Sequence, residues 1–454
     1  MTVLFFDNAL LPQGWVRDVR LTLEDGRIAT VETGVALQLG DDHHHIGLPG
    51  MSNLHSHAFQ RAMAGLTEAR GATADSFWTW RELMYRFVQR ITPDEVEAIA
   101  AQVYVEMLEA GYTRVGEFHY VHHDAGGQPY ADIAELAHRV IAASQSTGMA
   151  LTLLPVFYAH AGFGGRAPEP LQRRFINTPD QFARLIEQCR TALESVPGAV
   201  LGIAPHSLRA ATPDELGGIV PLAQDGPIHI HVAEQTREVE DCVAWSGQRP
   251  VEWLLDHAPV DRRWCLIHAT HTNAHELRGM AERSVVAGLC PITEANLGDG
   301  TFDLPTFLQH GGGFGVGSDS NVLIGLADEL RQLEYSQRLA RRARSVTAVD
   351  YAPSTGRALF DRALAGGAQA LGVDRVGLVQ GAVADIVSLD ADHLALAGRS
   401  GDALLDSWIF AASRAGVVDC VWTAGRKVVT NGRHHQRDAA EARFRRALHN
   451  LLSA

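Results

Sequence analysis

Apolar residues in this chain fall into short runs separated by stretches of helical periodicity. Eight such runs occupy the middle: Ile46–Leu54, Arg114–Phe118, Leu151–Phe157, Val200–Ala204, Ile228–Val232, Leu266–Ala269, Val285–Leu289 and Phe314–Gly317. Continuous apolar runs that alternate with helical segments indicate strands buried on both faces, joined by helices, in a parallel sheet. Eight βα units over residues 47–370 predict an α/β fold, a (β/α)8 TIM barrel with insertions. Several helix starts are explicit. Thr92-Pro93-Asp94-Glu95 and Thr212-Pro213-Asp214-Glu215 read as capping boxes, and Thr178-Pro179-Asp180-Gln181 repeats the pattern with glutamine.

The two ends of the chain carry a different pattern. Val3–Phe6, Val19–Leu23 and Arg27–Val31 are short strand-like segments, with Asp25-Gly26 as a hairpin turn. The pattern returns at Ala384–Leu389, Val417–Thr423 and Lys427–Val429, with a turn at Gly425-Arg426. Residues 1–46 and 371–454 are therefore expected to form one small discontinuous β domain, a β-sandwich interrupted by the barrel.

The polar residues at the ends of the central runs change the picture from architecture to chemistry. His55-Ser56-His57 closes the first run, and two histidines at i and i+2 on a strand share a face. Imidazoles placed so are costly to leave unpaired and suit a divalent metal. The fifth run gives His229-Ile230-His231-Val232-Ala233-Glu234, the sixth His268-Ala269-Thr270-His271, and the eighth Gly317-Ser318-Asp319-Ser320. The carboxyl ends of strands are where a barrel keeps its active site. The bland alternative, buried and hydrogen-bonded core histidines, does not account for their recurrence at several strand ends. The runs His43-His44-His45, His122-His123 and His434-His435 lack spaced acidic or cysteine partners and are expected in loops or the tail, solvated.

Composition narrows the classes. The chain has 454 residues, 46% hydrophobic and 20% charged, with a net charge of −14. That charge disfavours nucleic acid and anionic membrane surfaces as partners. No uninterrupted apolar stretch reaches the length of a membrane span, about 18 residues or more. The amino terminus has no basic segment before an apolar one, so a cytoplasmic location is expected. Five scattered cysteines without a C-x-x-C pair argue against a disulfide framework and a thiolate zinc site. Lys427 is the one lysine, so 38 of the 39 basic residues (39 − 1) are arginine.

The strand-end pattern resembles the amidohydrolase superfamily of metal-dependent (β/α)8 hydrolases, over the whole chain. The resemblance implies His55, His57, His231 and Asp319 as metal ligands, with His268 beside the attacking water and Glu234 as proton shuttle. It leaves His229 outside the ligand set. Binuclear members bridge two metals with a strand-4 lysine. Here that strand reads Gly202-Ile203-Ala204-Pro205-His206, so one divalent metal is expected, zinc by ligand type. The stretch His55-Ser56-His57-Ala58-Phe59-Gln60-Arg61 further resembles the formiminoglutamate deiminase family. That implies deimination of N-formimino-L-glutamate in histidine degradation, with catalytic Glu234, His268 and Asp319. Gln60, Arg81, Tyr120, His206 and Arg209 would bind the small dianionic substrate. A homodimer is the expected assembly. The competing expectations are a deaminase of the same superfamily acting on a nucleobase or related ring, and a non-catalytic barrel scaffold.

Overall fold

The computed structural model describes residues 2–68, 77–348, 353–413 and 416–453. At the amino end run β1 (Thr2–Leu11), β2 (Gly14–Glu24), β3 (Arg27–Thr33) and β4 (Asp42–Pro49). The central strands follow: β5 (Met51–Ser56), β6 (Tyr112–His119), β7 (Ala150–Phe157), β8 (Val200–Leu201), β9 (Ala204–Pro205), β10 (Ile228–Val232), β11 (Trp264–His268), β12 (Val286–Leu289) and β13 (Gly313–Val316). The chain closes with β14 (Ile386–Leu389), β15 (Val418–Thr423), β16 (Arg426–Thr430) and β17 (Arg433–His434).

Strands from both termini share one continuous eight-stranded sheet, in the order β17-β16-β15-β14-β4-β1-β2-β3. The sheet curls on itself, since Arg27 at its far edge bridges Val383 just ahead of β14. Leu4, Phe6, Val19, Leu21, Ile28, Ile386 and Trp422 share the core inside the curl. The turn between β2 and β3 is Asp25-Gly26, with φ of 47° and 76°, the pair of positive values that a type I′ hairpin requires. The turn between β15 and β16 is Ala424-Gly425, one residue earlier than expected, because Arg426 already pairs with Thr423.

The eight central runs appear in order around a ring. β5-β6-β7-β8 and β10-β11-β12-β13 are parallel sheets, and β9 extends the fourth strand beside β7. Single bridges join the two sheets at both seams: Ile203 to Ile228 and Ser207 to His231 on one side, Ser56 to Asp319 on the other. The run predicted as a single first strand is divided between two sheets. Ile46–Pro49 belongs to β4 in the terminal sheet, and β5 starts at Met51. Gly50 makes the handover, where a Cβ would stand 2.3 Å from Thr113 Cγ2. Inside the ring, Leu54 packs with Cys265, Ile267 and Val286. The helix Thr355–Ala370 covers β5, β12 and β13.

The capping boxes at Thr92, Thr178 and Thr212 are all present, each side chain accepting from the backbone N–H of the third helical residue. No helix among the described residues is long and apolar enough to cross a membrane. The histidine runs depart from expectation. His43–His45 lie in β4 and not in a loop, with His44 buried edge-on against Trp422 at 4.9 Å between ring centroids. His122, His123 and His434 are buried too, their Nε2 atoms within 2.9 Å of the carbonyls of Val156, Ile176 and Thr147. A carbonyl partner makes a neutral imidazole tolerable inside the protein, and sequence gives no sign of such a partner.

Candidate metal centre and substrate pocket

Four buried side chains meet at the carboxyl ends of three strands. His55 and His57 come from the end of β5, His231 from β10 and Asp319 from just beyond β13; their ligand atoms lie within 4.8 Å of one another. The backbone holds them there. Asp319 N–H donates to His55 O, and His57 N–H donates to Asp319 O, both at 2.9 Å. Gly317 permits this approach, since a Cβ there would stand 2.7 Å from the backbone of His55. Ala233, His268, Ala269 and Asp319 all adopt positive φ, between 46° and 66°. Such non-glycine conformations are costly and cluster where a site fixes them.

The ring orientations favour a cation. His57 Nδ1 is 3.0 Å from Phe118 O and His231 Nδ1 is 3.1 Å from His206 O. A carbonyl only accepts, so both Nδ1 atoms carry a proton, the tautomer that turns Nε2 to a cation when one is bound. Those Nε2 atoms converge with the third imidazole: His55 Nε2 is 3.2 Å from His57 Nε2 and 3.1 Å from His231 Nε2. Asp319 Oδ1 adds a fourth acceptor, 3.2 Å from His57 Nε2. Burial holds His55 down to a pKa of about 3 and His231 well below the usual histidine value, so neither stays charged. Burial would raise Asp319, but His55 and His57 hold it well below the usual carboxylate range. Three imidazoles and a carboxylate fit a divalent metal, the donor set and tetrahedral count of zinc. His229 points elsewhere, with Nε2 2.7 Å from Ala370 O.

Glu234 and His268 stand beside this centre. His268 Nε2 lies 3.6 Å from Glu234 Oε1 and 3.9 Å from Asp319 Oδ2. Burial lifts the Glu234 carboxyl to a pKa of about 7, even against the pull of His268 and Arg209. Burial would lower His268, yet Glu234, Glu294 and Asp319 outweigh it and bring it to about 10. A carboxyl near neutrality next to an imidazolium is an arrangement for proton transfer.

The pocket above the centre brings together all five residues expected to bind substrate: Gln60, Arg81, Tyr120, His206 and Arg209. Gln60 Nε2 donates to Tyr120 Oη at 2.8 Å, while Gln60 Oε1 is buried with no hydrogen bond among the described residues. Arg81 stacks over Trp78 at 4.6 Å from the ring centroid. Arg209 is buried, its Nε 3.9 Å from Glu238 Oε1. The Nε atoms of both arginines lack a hydrogen-bond acceptor among the described residues. His206 packs on Tyr158 with ring centroids 4.5 Å apart.

Sequence reading missed several polar residues around the site. Glu117 accepts from Ala58 N–H at 2.7 Å and from Tyr104 Oη at 3.2 Å, tying the turn after His57 to β6; burial raises its pKa to about 7. A glutamate inside the apolar run Val115-Gly116-Glu117-Phe118 was the available signal. Glu294, which meets His268, follows the apolar turn Cys290-Pro291-Ile292. Tyr85 and Tyr158, with hydroxyls 3.1 Å apart, also line the pocket and had no local sequence signal.

Residues 46–428 match the amidohydrolase family. The chain belongs to that family. Residues 1–45 match a second description, the N-terminal domain of formimidoylglutamate deiminase HutF. Among curated amidohydrolases, the chain is 50% identical over 454 residues to the formimidoylglutamate deiminase of Pseudomonas aeruginosa, covering 100% of both chains. Among solved structures, an amidohydrolase from Brucella melitensis superposes with a TM-score of 0.96 at 58% identity, covering 100% of both chains. An adenosine deaminase from Xanthomonas campestris with bound zinc has a TM-score of 0.81 at 21% identity, covering 100% of this chain and 99% of its own, a likeness of fold. Metal binding is typical of this family.

Proposed function

We propose that this chain hydrolyses N-formimino-L-glutamate to N-formyl-L-glutamate and ammonia, a step of histidine degradation. The observation that carries the reading is the full-length 50% identity to a formimidoylglutamate deiminase, which spans both the barrel and the small terminal domain. The pocket supports it chemically. Arg81 and Arg209 face the cavity with unused donors, and the substrate carries two carboxylates. A guanidinium binds a carboxylate through two parallel hydrogen bonds and keeps its charge. In a chain of net charge −14, a dianion depends on such local groups.

His55, His57, His231 and Asp319 would hold one divalent metal, zinc by ligand type. When bound, it supplies Lewis-acid chemistry and brings the pKa of a water toward neutrality. No lysine is available for a second-metal bridge near the centre, because Lys427 lies on β16 paired to Asp42 at 2.6 Å. As water adds to the formimino carbon, Asp319 Oδ2 accepts its proton. His268 Nε2 hydrogen-bonds the developing oxyanion. Glu234 gives its proton to the imine nitrogen and regains one from the hydroxyl oxygen as the carbonyl forms. With the proton held by Asp319 the nitrogen then carries three hydrogens, the C–N bond breaks and ammonia departs. Gln60, Tyr120 and His206 orient the formimino end and its neighbouring carboxylate.

The aromatic lining, with Phe77, Trp80, Tyr85 and Tyr158, also suits a flat ring, which is the basis for a nucleobase deaminase as second reading. One assay separates the two: ammonia release by metal-replete protein from N-formimino-L-glutamate, run beside guanine, cytosine and adenosine. Turnover confined to the first compound is expected. Turnover of a nucleobase or nucleoside without turnover of formiminoglutamate overturns the proposal.

A further inference from the structure

The imidazole of His268 has two working edges, and they face different surroundings. Its Nε2 edge looks into the pocket toward Glu234 and Asp319, while its Nδ1 lies 3.2 Å from Glu294 Oε1. Both residues are buried, His268 at 1% exposure and Glu294 at 5%. Glu294 lies behind the His268 ring and is not among the residues that line the pocket. Its carboxylate is itself anchored. Oε1 accepts the backbone N–H of Cys290 at 2.9 Å, and the Glu294 N–H donates back to Cys290 O at 2.9 Å.

His268 needs such an anchor. It ends β11 with φ of 66°, followed by Ala269 at 47°, so two consecutive residues leave the extended geometry that normally aims a strand side chain. Beyond the strand, the ring stacks on His231 with planes 16° apart and centroids 5.6 Å apart, and meets His55 edge-on with centroids 6.3 Å apart. A stack fixes the plane of a ring but not its rotation by a half-turn about the Cβ–Cγ bond, which exchanges its nitrogen and carbon edges. A carboxylate at one nitrogen fixes the rotation. It also fixes the proton, because a carboxylate accepts and so requires a proton on Nδ1.

We infer that Glu294 is a positioning residue for the hydrolytic reaction: it holds the proton on His268 Nδ1 and turns Nε2 toward the reacting centre. The inference rests on the proposed role of His268. An uncharged amide at 294 keeps the size but presents either an acceptor or a donor to Nδ1, so the ring loses its single orientation. Loss of a complete acid–base group costs about 100- to 10,000-fold in rate. A loss of orientation alone is a fraction of that, about 10- to 100-fold in kcat.

The test uses full-length, metal-replete protein with N-formimino-L-glutamate as substrate. Glu294→Gln is expected to lower kcat by that factor while KM and bound metal per chain stay unchanged. In a His268→Asn background, Glu294→Gln is expected to change the residual rate less than about twofold, since its effect runs through His268. Glu294→Gln with full kcat, or with its loss undiminished in the His268→Asn background, overturns the inference. So does loss of metal from Glu294→Gln, which would place Glu294 in support of the metal shell. If His268→Asn itself keeps full kcat, the role proposed for His268 fails first, and the two failures are distinguished. A measurement without substitution covers the case of a variant that does not fold. With 15N-labelled histidine in the metal-replete protein, the His268 ring is expected to show a protonated Nδ1, and an unprotonated Nδ1 overturns the inference.

Discussion

Asp319 N–H donates to the carbonyl of His55 at 2.9 Å, across the seam where the last barrel strand meets the first. The two residues are 264 positions apart (319 − 55), His55 near the end of β5 and Asp319 just beyond β13. Closing the ring of strands therefore also brings together the four residues of the candidate metal centre.

This coupling makes metal content the most direct probe of the site. Purified protein is expected to hold about one divalent metal per chain, the count for a mononuclear site of this ligand set. His231→Asn or Asp319→Ala should lower it below about a tenth of an equivalent, with ammonia release lost in parallel. Elemental analysis of protein dialysed without chelator checks this. A variant that keeps its metal would remove that residue from the ligand set.

The arginines give a prediction with a different kinetic signature. A hydrogen bond to a charged group is worth about 1.5–3 kcal/mol, so Arg81→Met and Arg209→Met should each lower kcat/KM by roughly 10- to 100-fold, mainly through KM. Steady-state kinetics with N-formimino-L-glutamate measures it. Unchanged kinetics in both variants would favour a neutral ring as the substrate.

His119 links stability to pH. Burial lowers its pKa from 6.5 to about 4 in the folded protein. Below pH 6.5 the unfolded chain takes up a proton that the folded one refuses, so stability present above 6.5 is lost as pH falls toward about 4. One pKa unit corresponds to about 1.4 kcal/mol, which gives a full loss of about 3 kcal/mol. The difference in unfolding free energy between the parent and His119→Asn, measured in urea from pH 7 down to pH 4, should change by that amount. Parallel curves would show that His119 is not held neutral.

Leu54 tests the barrel interior. It is fully buried, and its methyls fill the space that side chains at Gly288 and Gly315 would occupy. Leu54→Ala leaves a cavity with rigid walls and should cost about 2–5 kcal/mol by chemical denaturation. A loss below about 1 kcal/mol would mean that the ring collapses around the gap.

The sequence by itself determined the alternation of central strands and helices, the strand character of both termini, the helix caps and which polar residues stand at the strand ends of the candidate metal centre. These are local signals: apolar runs, turn residues, capping boxes, and histidines or an aspartate at strand ends. Tertiary structure alone decided what lies around them. It divided Ile46–Leu54 between two sheets at Gly50, because the backbone there must approach Thr113 too closely for a side chain. It buried His44, His122, His123 and His434, because distant carbonyls and Trp422 meet them. It placed Glu117 under the turn after His57 and Glu294 behind His268. A strand end announces itself through the residues beside it in the chain. The partner of a buried charge is set by packing between elements, and one sequence carries no record of that distance.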